Sequence, residues 1–152
     1  MKILEVLHRD AILTNLSSRD KKGLIEELAA PVARIIGMGC PELVHVLMER
    51  ERLGSTGIGM GIGIPHGKLK SIDGLVMGFG LSRKGVDYDT LDGRPAHLFF
   101  MLITPENSPG LHLKALARIA RMLKNELFKE KLLRAQTADD IVSIIQAEDE
   151  DF

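Results

Sequence analysis

The sequence predicts a single α/β domain with a central mixed β-sheet flanked by helices on both faces. The chain has 152 residues, which fits one domain of ordinary size. Apolar residues recur at helical spacing towards both ends, whereas the middle contains short apolar runs bounded by glycine, aspartate or proline. Residues 98–103 are continuously apolar, which is typical of a central strand covered by helices on both sides.

Two helices are predicted in the first third of the chain. Ser17, with Asp20 three residues later, is typical of a helix start, and Gly37 ends the apolar pattern that follows. Pro31 lies inside this pattern, and we expect it to interrupt or kink the helix because it lacks a backbone donor. A second helix is predicted from Pro41, since proline suits a first helical turn.

Strands are predicted in the middle of the chain and helices after it. The predicted strands cover residues 61–66, 74–82 and 96–104. The predicted helices cover residues 111–123 and 126–135, and a last one begins at Thr137 with Asp140 at the capping-box position. We expect 148–152 to fray, so the domain is assigned to residues 1–148 and an acidic tail to 149–152.

Composition excludes several classes of protein. The net charge of −1 argues against nucleic-acid binding, which usually needs a basic face. No apolar run approaches the roughly 18 residues of a membrane span, and we see no signal peptide. The single cysteine, Cys40, excludes an internal disulfide and fits a reducing compartment, so we expect a cytoplasmic protein. No metal-ligand spacing occurs.

The middle of the chain contains an unusual glycine-rich segment. Gly57, Gly59, Gly61 and Gly63 alternate with apolar residues, so an extended segment would have one face without side chains. Glycine weakens a strand, which indicates close approach of a ligand or unusual dihedral angles. The spacing matches neither the P-loop nor the G-x-G-x-x-G dinucleotide pattern, so we expect no nucleotide cofactor.

The glycine-rich segment leads into Pro65 and His66, the strongest candidate for chemistry. Pro65 fixes its own φ and favours an extended conformation before it, so His66 is presented from a stiff corner. A histidine ring nitrogen is nucleophilic near neutral pH and can carry a covalent intermediate. The competing interpretation is an ordinary surface histidine that follows a turn proline.

Other residues could assist if the group carried by His66 is a phosphoryl group. His112 lies at a predicted helix start and could orient His66 or bind phosphate, although it could equally face water. Arg50 precedes the glycine-rich segment and offers a planar fork for phosphate, or belongs to a solvated charged face. Ser55 and Thr56 could cap an element or donate to phosphate.

Two segments resemble one known family. The stretch from Arg50 to Lys68, RERLGSTGIGMGIGIPHGK, resembles the signature of the fructose/mannitol-type enzyme IIA domains of the phosphoenolpyruvate-dependent sugar phosphotransferase system. Residues 112–120, HLKALARIA, resemble the second histidine helix of that family. The likeness covers nearly the whole chain and implies a mixed sheet between helical layers. The family usually has alanine where Gly63 stands, a departure that should loosen the strand slightly.

The resemblance implies roles for individual residues. It implies that His66 is phosphorylated, that His112 supports it, and that Arg50 stabilises the phosphoryl group. It also implies an HPr-type phosphocarrier protein as donor, docked over the glycine-rich surface, and no cofactor. The positions expected to contact phosphate or this partner are Ser55, Thr56, Gly57, Gly59, Gly61, Gly63 and Lys68.

Three uses of such a domain remain open. An unfused chain with Pro-His-Gly-Lys looks most like the nitrogen-regulatory branch of the family, in which the phosphorylation state controls a regulatory target. The first alternative is a sugar-specific IIA subunit that passes phosphate to a IIB protein. The second is a non-catalytic interaction module on the same fold. The oligomeric state and the sugar are not determined by the sequence.

Overall fold

The computed structural model describes residues 2–150. After a 3-10 turn at Ile3–Glu5, the strands are β1 (Leu7–Leu13), β2 (Gly57–Gly59), β3 (Ile62–Gly63), β4 (His66–Leu69), β5 (Val76–Val86) and β6 (Ala96–Pro105). The helices are α1 (Lys21–Ile36), α2 (Cys40–Arg52), α3 (Pro109–Leu123), α4 (Glu126–Arg134) and α5 (Ala138–Glu150). Within residues 2–150, no helix combines the length and apolar character needed to cross a membrane.

The six strands form one mixed sheet. The strand order is β1-β5-β6-β3-β2, and β4 also pairs with β6. Strand β5 is antiparallel to β6 and parallel to β1, whereas β3 and β4 both run parallel to β6. This arrangement confirms the predicted mixed sheet and makes β6 its central strand.

Strand β6 separates two cores. Leu98, Phe100 and Leu102 pack with residues of helices α3, α4 and α5 on one face. The alternating residues Phe99, Met101 and Ile103 pack with helices α1 and α2 on the other. Because successive strand residues point to opposite faces, a strand buried on both sides must be continuously apolar. The prediction from residues 98–103 is therefore confirmed.

One predicted strand is divided in the structure, and another strand was not predicted. The predicted strand 61–66 is divided into β3 and β4 by Ile64 and Pro65. Proline has no N–H for the ladder, although its carbonyl still accepts a hydrogen bond from the N–H of Leu102 at 2.9 Å. Strand β1 was not predicted, because the consecutive polar residues His8, Arg9 and Asp10 hide any alternation.

Helix α1 begins later than predicted and is not interrupted. Its N-cap is Asp20, whose carboxylate accepts a hydrogen bond from the N–H of Gly23. Ser17 instead donates to the carboxylate of Glu27. The helix continues through Pro31 to Ile36, which corrects the expected interruption.

The expected fraying is not found at Glu148 and Asp149, which are buried residues of α5. Asp149 is 2% exposed, and its carboxylate accepts hydrogen bonds from the N–H groups of Ile3 and Leu4 and from Arg118. These contacts stabilise the buried charge and hold the helix end in place. Residues 151–152 of the expected tail lie outside the described residues.

Glycines of the glycine-rich segment pack against the core. A Cβ on Gly57 would lie 2.7 Å from Cγ2 and 2.9 Å from Cα of Thr90. A Cβ on Gly63 would lie 2.8 Å from Cδ1 of Phe99, whose ring fills the space that an alanine methyl would need. Gly57 and Gly63 are therefore buried packing positions and do not present the exposed docking surface that was expected there.

The other two glycines of the segment form a turn between β2 and β3. Gly59, Met60 and Gly61 have φ angles of 92°, 59° and 80°. Glycine adopts such angles without strain, and Met60 is held between its neighbours by hydrogen bonds from its N–H to Asp92 and from Lys129 to its carbonyl. Unusual dihedral angles, one of the two predicted reasons for the glycines, therefore apply here.

We expect the substitution Gly57→Ala to lower the free energy of unfolding by about 1–3 kcal/mol, because the new methyl group collides with the backbone of Thr90. Urea unfolding measures this change. Gly74→Ala is the matched control, since nothing lies within 4 Å of a Cβ at that position. Equal stability of the two variants would contradict the packing role of Gly57.

Candidate functional site

His66 is the first residue of β4 and follows the corner at Pro65. Its ring is half-buried, and its Nδ1 lies 2.7 Å from the carbonyl oxygen of Ile64. A carbonyl oxygen only accepts hydrogen bonds, so Nδ1 carries the ring proton and donates it. The lone pair of the neutral ring is then on Nε2, which makes Nε2 the nucleophilic atom.

His112 lies in the first turn of α3 and faces His66. The ring centroids are 5.0 Å apart, with planes inclined at 59°. His112 is only 6% exposed, and its Nδ1 lies 2.8 Å from Oγ1 of Thr104 on β6. The interpretation of His112 as a histidine that faces water is therefore wrong, and the predicted pair of histidines is present.

An open cleft of about 640 Å³ is lined by four of the polar residues that the sequence singled out. His66, His112, Arg50 and Lys68 all line it, although they come from α2, β4 and α3. Nη1 of Arg50 donates to the carbonyl oxygen of Gly54 at 2.9 Å, which anchors the guanidinium at the end of α2. The cleft thus combines a nucleophile with cationic groups that suit an anion.

Burial lowers the pKa of both imidazoles. The hydrogen bond to the Ile64 carbonyl opposes this lowering for His66, while the charge of Arg50 adds to it. For His112, burial is the main cause, followed by His66 when it is protonated and by the charges of Lys68 and Arg50, and the pKa falls to about 4. His112 is therefore neutral at pH 7, and the lowered pKa of His66 favours its neutral form, in which Nε2 keeps its lone pair.

A buried carboxylate, Glu51, supports this cleft and was not predicted. Its side chain is 3% exposed and lies 2.8 Å from Nζ of Lys21 on α1. It also accepts hydrogen bonds from the N–H and the hydroxyl of Thr56 and, at 3.4 Å, from the hydroxyl of Tyr88. The solvated charged face that was the alternative for Arg50 includes its neighbours Glu49 and Arg52, which form an exposed pair, but not Glu51.

Ser55 and Thr56 belong to this buried network and do not line the cleft. Oγ of Ser55 accepts hydrogen bonds from Lys21 and from the N–H of Gly57, and donates to the carbonyl of Tyr88. Thr56 is 4% exposed. Their hydroxyls therefore stabilise the start of the glycine-rich segment, and the structure does not place them beside His66.

Glu51 and Thr104 act through contacts that the sequence pattern does not reveal. Glu51 lies among alternating charges on α2, and only its spacing from apolar Leu43 and Leu47 along the helix indicates an inward direction. Thr104 lies near the end of an apolar strand, where a hydroxyl needs a partner if it is buried.

Among residues 2–150, no group of three or more His, Cys, Asp or Glu side chains is arranged to hold a metal ion.

Comparison with known proteins identifies the family. The model of the family described as "Phosphoenolpyruvate-dependent sugar phosphotransferase system, EIIA 2" matches residues 5–148. The chain belongs to this family. The fold of this EIIA domain also matches the crystal structure of the nitrogen regulatory protein IIA-Ntr from Neisseria meningitidis, with a TM-score of 0.87 and 32% identity over 93% of this chain and 97% of that one.

Relatives of this EIIA domain include regulatory and sugar-specific proteins. A nitrogen regulatory protein from Bradyrhizobium diazoefficiens is 38% identical over 145 residues, which cover 95% of either chain. The fructose-specific EIIABC component from Bacillus subtilis is also 38% identical over 150 residues. That match covers 98% of this chain and 24% of the relative, so the chain spans about a quarter of that protein.

We expect His112 to make the free energy of unfolding fall as the pH falls from about 6.5 to about 4. In this range the unfolded chain protonates the histidine, whereas the folded protein keeps it neutral, so acid favours the unfolded state. Urea unfolding between about pH 7 and pH 5 measures the slope, and His112→Gln should make it shallower. Identical slopes would contradict the lowered pKa.

Proposed function

We propose that this EIIA domain is a cytoplasmic phosphohistidine carrier that accepts a phosphoryl group on Nε2 of His66 from an HPr-type phosphocarrier protein. The hydrogen bond from Nδ1 of His66 to the Ile64 carbonyl is the observation that carries the proposal. It directs the lone pair to Nε2 in a cleft that also contains Arg50, Lys68 and His112.

The transfer exchanges one nitrogen–phosphorus bond for another. The lone pair on Nε2 of His66 attacks the phosphorus of the donor's phosphohistidine in line with the bond that breaks. The bonding electron pair returns to the donor's ring nitrogen. No proton needs to leave His66, because Nδ1–H stays in place and its hydrogen bond to Ile64 stabilises the positive charge that develops on the ring.

Positioning and charge provide the catalysis. Phosphoryl transfer requires little covalent chemistry from the protein. In the transition state, negative charge is spread over the three equatorial oxygens of the transferred group. The guanidinium of Arg50 and the ammonium of Lys68 supply positive charge at the cleft. His112 supplies a ring nitrogen beside His66 and completes the set of groups around the phosphoryl oxygens.

The donor docks on the apolar rim of the cleft. Leu53 is 85% exposed and Leu113 67% exposed, and both line the cleft that holds His66. Large apolar side chains so exposed are typical of protein-binding surfaces. The docking surface thus consists of these leucines, whereas Gly57 and Gly63 lie in the core.

We assign the carrier to the regulatory, nitrogen-type use, in which the phosphorylation state of His66 controls a target protein. The nitrogen regulatory relative, which matches over 95% of both chains, favours this assignment. The second candidate is a sugar-specific IIA subunit that passes phosphate to a IIB protein, and the equally identical fructose-specific relative favours it. Transfer of label from His66 to a purified IIB protein would favour this second candidate.

We expect incubation with a phosphorylated HPr-type carrier to give this chain an acid-labile label on His66, and His66→Ala to abolish it. Among the described residues, only His66 both lines the cleft and has Nδ1 against a backbone carbonyl. Radiolabel transfer with mapping of the modified residue measures this. His45→Ala, in an exposed histidine of α2, is the matched control and should keep full labelling. A label on His66→Ala would overturn the assignment, and failure of the wild-type chain to accept phosphate would favour a non-catalytic interaction module.

We expect Arg50→Ala to slow phosphoryl transfer on the order of 100-fold while His66 remains the labelled residue, because a cation near the transferring oxygens is lost. Rapid-quench kinetics measures the rate. Arg52→Ala is the matched control from the same helix, since Arg52 is exposed and paired with Glu49. Equal rates for the two variants would exclude a role for Arg50.

A further inference from the structure

The two histidines of the cleft differ in the chemical nature of their Nδ1 partners. Nδ1 of His66 lies against a backbone carbonyl, that of Ile64, at 2.7 Å. Nδ1 of His112 lies against a hydroxyl, that of Thr104, at 2.8 Å. A carbonyl can only accept a hydrogen bond, whereas a hydroxyl can both donate and accept. The two contacts therefore restrict the two rings differently.

This difference determines whether Nε2 of each ring presents a lone pair or a hydrogen to the cleft. The carbonyl of Ile64 requires a proton on Nδ1 of His66 and leaves a lone pair on Nε2. If the hydroxyl of Thr104 donates to Nδ1 of His112, the ring proton lies on Nε2 instead. Phosphoryl oxygens are acceptors only, so a useful neutral His112 must present Nε2–H.

Thr104 is well placed to control the ring of His112. It is fully buried on β6 and pairs in register with Lys68 of β4, two residues beyond His66. Because Leu102, two positions earlier, belongs to the core on the α3 side, Thr104 also faces α3, where His112 lies. A buried hydroxyl without a partner is costly, so the contact with His112 satisfies both groups.

We propose that Thr104 is a positioning residue: it donates its hydroxyl hydrogen to Nδ1 of His112 and so makes His112 a neutral donor, through Nε2–H, to an oxygen of the phosphoryl group on His66. This proposal rests on the proposed phosphorylation of His66. The two histidines then have opposite tautomers: Nε2 of His66 presents a lone pair, and Nε2 of His112 presents a proton.

The charge state of His112 makes the tautomer decisive. Burial lowers the pKa of His112 to about 4, with further lowering by His66 when it is protonated and by the charges of Lys68 and Arg50. A ring that is neutral at pH 7 has a single proton to place, so a wrong tautomer would turn a lone pair towards the phosphoryl oxygens and repel them. The hydroxyl of Thr104 selects the favourable arrangement.

The experiment compares wild type, Thr104→Val and Thr104→Ser with Thr90→Val. Valine keeps the branched shape of threonine without the hydroxyl, and serine keeps the hydroxyl. Thr90 is another buried threonine, 7% exposed, whose hydroxyl contacts Asp92 and the carbonyl of Arg94 away from the cleft. Each protein is phosphorylated by an HPr-type carrier, the transfer rate is measured, and ¹⁵N NMR of the histidine rings identifies the protonated nitrogen.

We expect protonated Nε2 and unprotonated Nδ1 for His112 in the phosphorylated wild type. Thr104→Val should mix the two tautomers and slow transfer about 3- to 10-fold, the cost of one hydrogen bond. Thr104→Ser should restore both observations, and Thr90→Val should leave them unchanged.

Three results would overturn the proposal. They are a doubly protonated His112 in the phosphorylated wild type, an unchanged tautomer and rate in Thr104→Val, and equal slowing in Thr104→Val and Thr90→Val. A wild-type chain that accepts no phosphate would instead overturn the proposed function together with this inference. Failure of the inference alone is therefore recognised by normal labelling of wild-type His66.

Discussion

The arrangement of the site depends on the ion pair and the hydrogen bonds made by the carboxylate of Glu51. It is almost fully buried, and it holds together α1 through Lys21, the start of the glycine-rich segment through Thr56, and the loop after β5 through Tyr88. A buried charge is tolerated only where donors surround it, and here each donor comes from a different part of the chain. The carbonyl of Thr56 in turn accepts from the N–H of Ile64, whose own carbonyl faces His66. The orientation of the reactive ring therefore depends on an ion pair outside the cleft.

The cleft obtains different chemistry from similar side chains by changing their surroundings. Burial lowers the pKa of both His66 and His112, so in the proposed carrier the electrostatic attraction for the phosphoryl group comes mainly from Arg50 and Lys68. A neutral imidazole keeps the lone pair that a nucleophile needs, which a fully solvated histidine near its titration range would partly lose. Burial thus lowers the positive charge of the site and raises the fraction of His66 rings that are neutral and keep the lone pair.

Much of the fold followed from local patterns, and much of the site followed from one motif. Strand β6 was predicted because burial on both faces demands an unbroken apolar run. Strand β1 was missed because it lies at the edge of the sheet, paired in parallel with β5, and carries three consecutive polar residues. His66, His112 and Arg50 were singled out correctly as neighbours of one cleft. Glu51 and Thr104 were missed because their importance lies in tertiary contacts, with Lys21 and Tyr88 for Glu51 and with His112 for Thr104, which the sequence pattern does not reveal.

The contact between Asp149 and the first turn of the chain has a consequence for architecture. Its carboxylate lies within hydrogen-bond distance of Ile3 and Leu4, so the two ends of the domain are adjacent. A domain with adjacent ends can be carried within a longer polypeptide, or circularly permuted with a short connection, without pulling its sheet apart. Related sequence does occur as about a quarter of a longer fructose-specific protein. The carboxylate that stabilises the last helix therefore also keeps the two ends close together, which suits insertion of the domain into longer proteins.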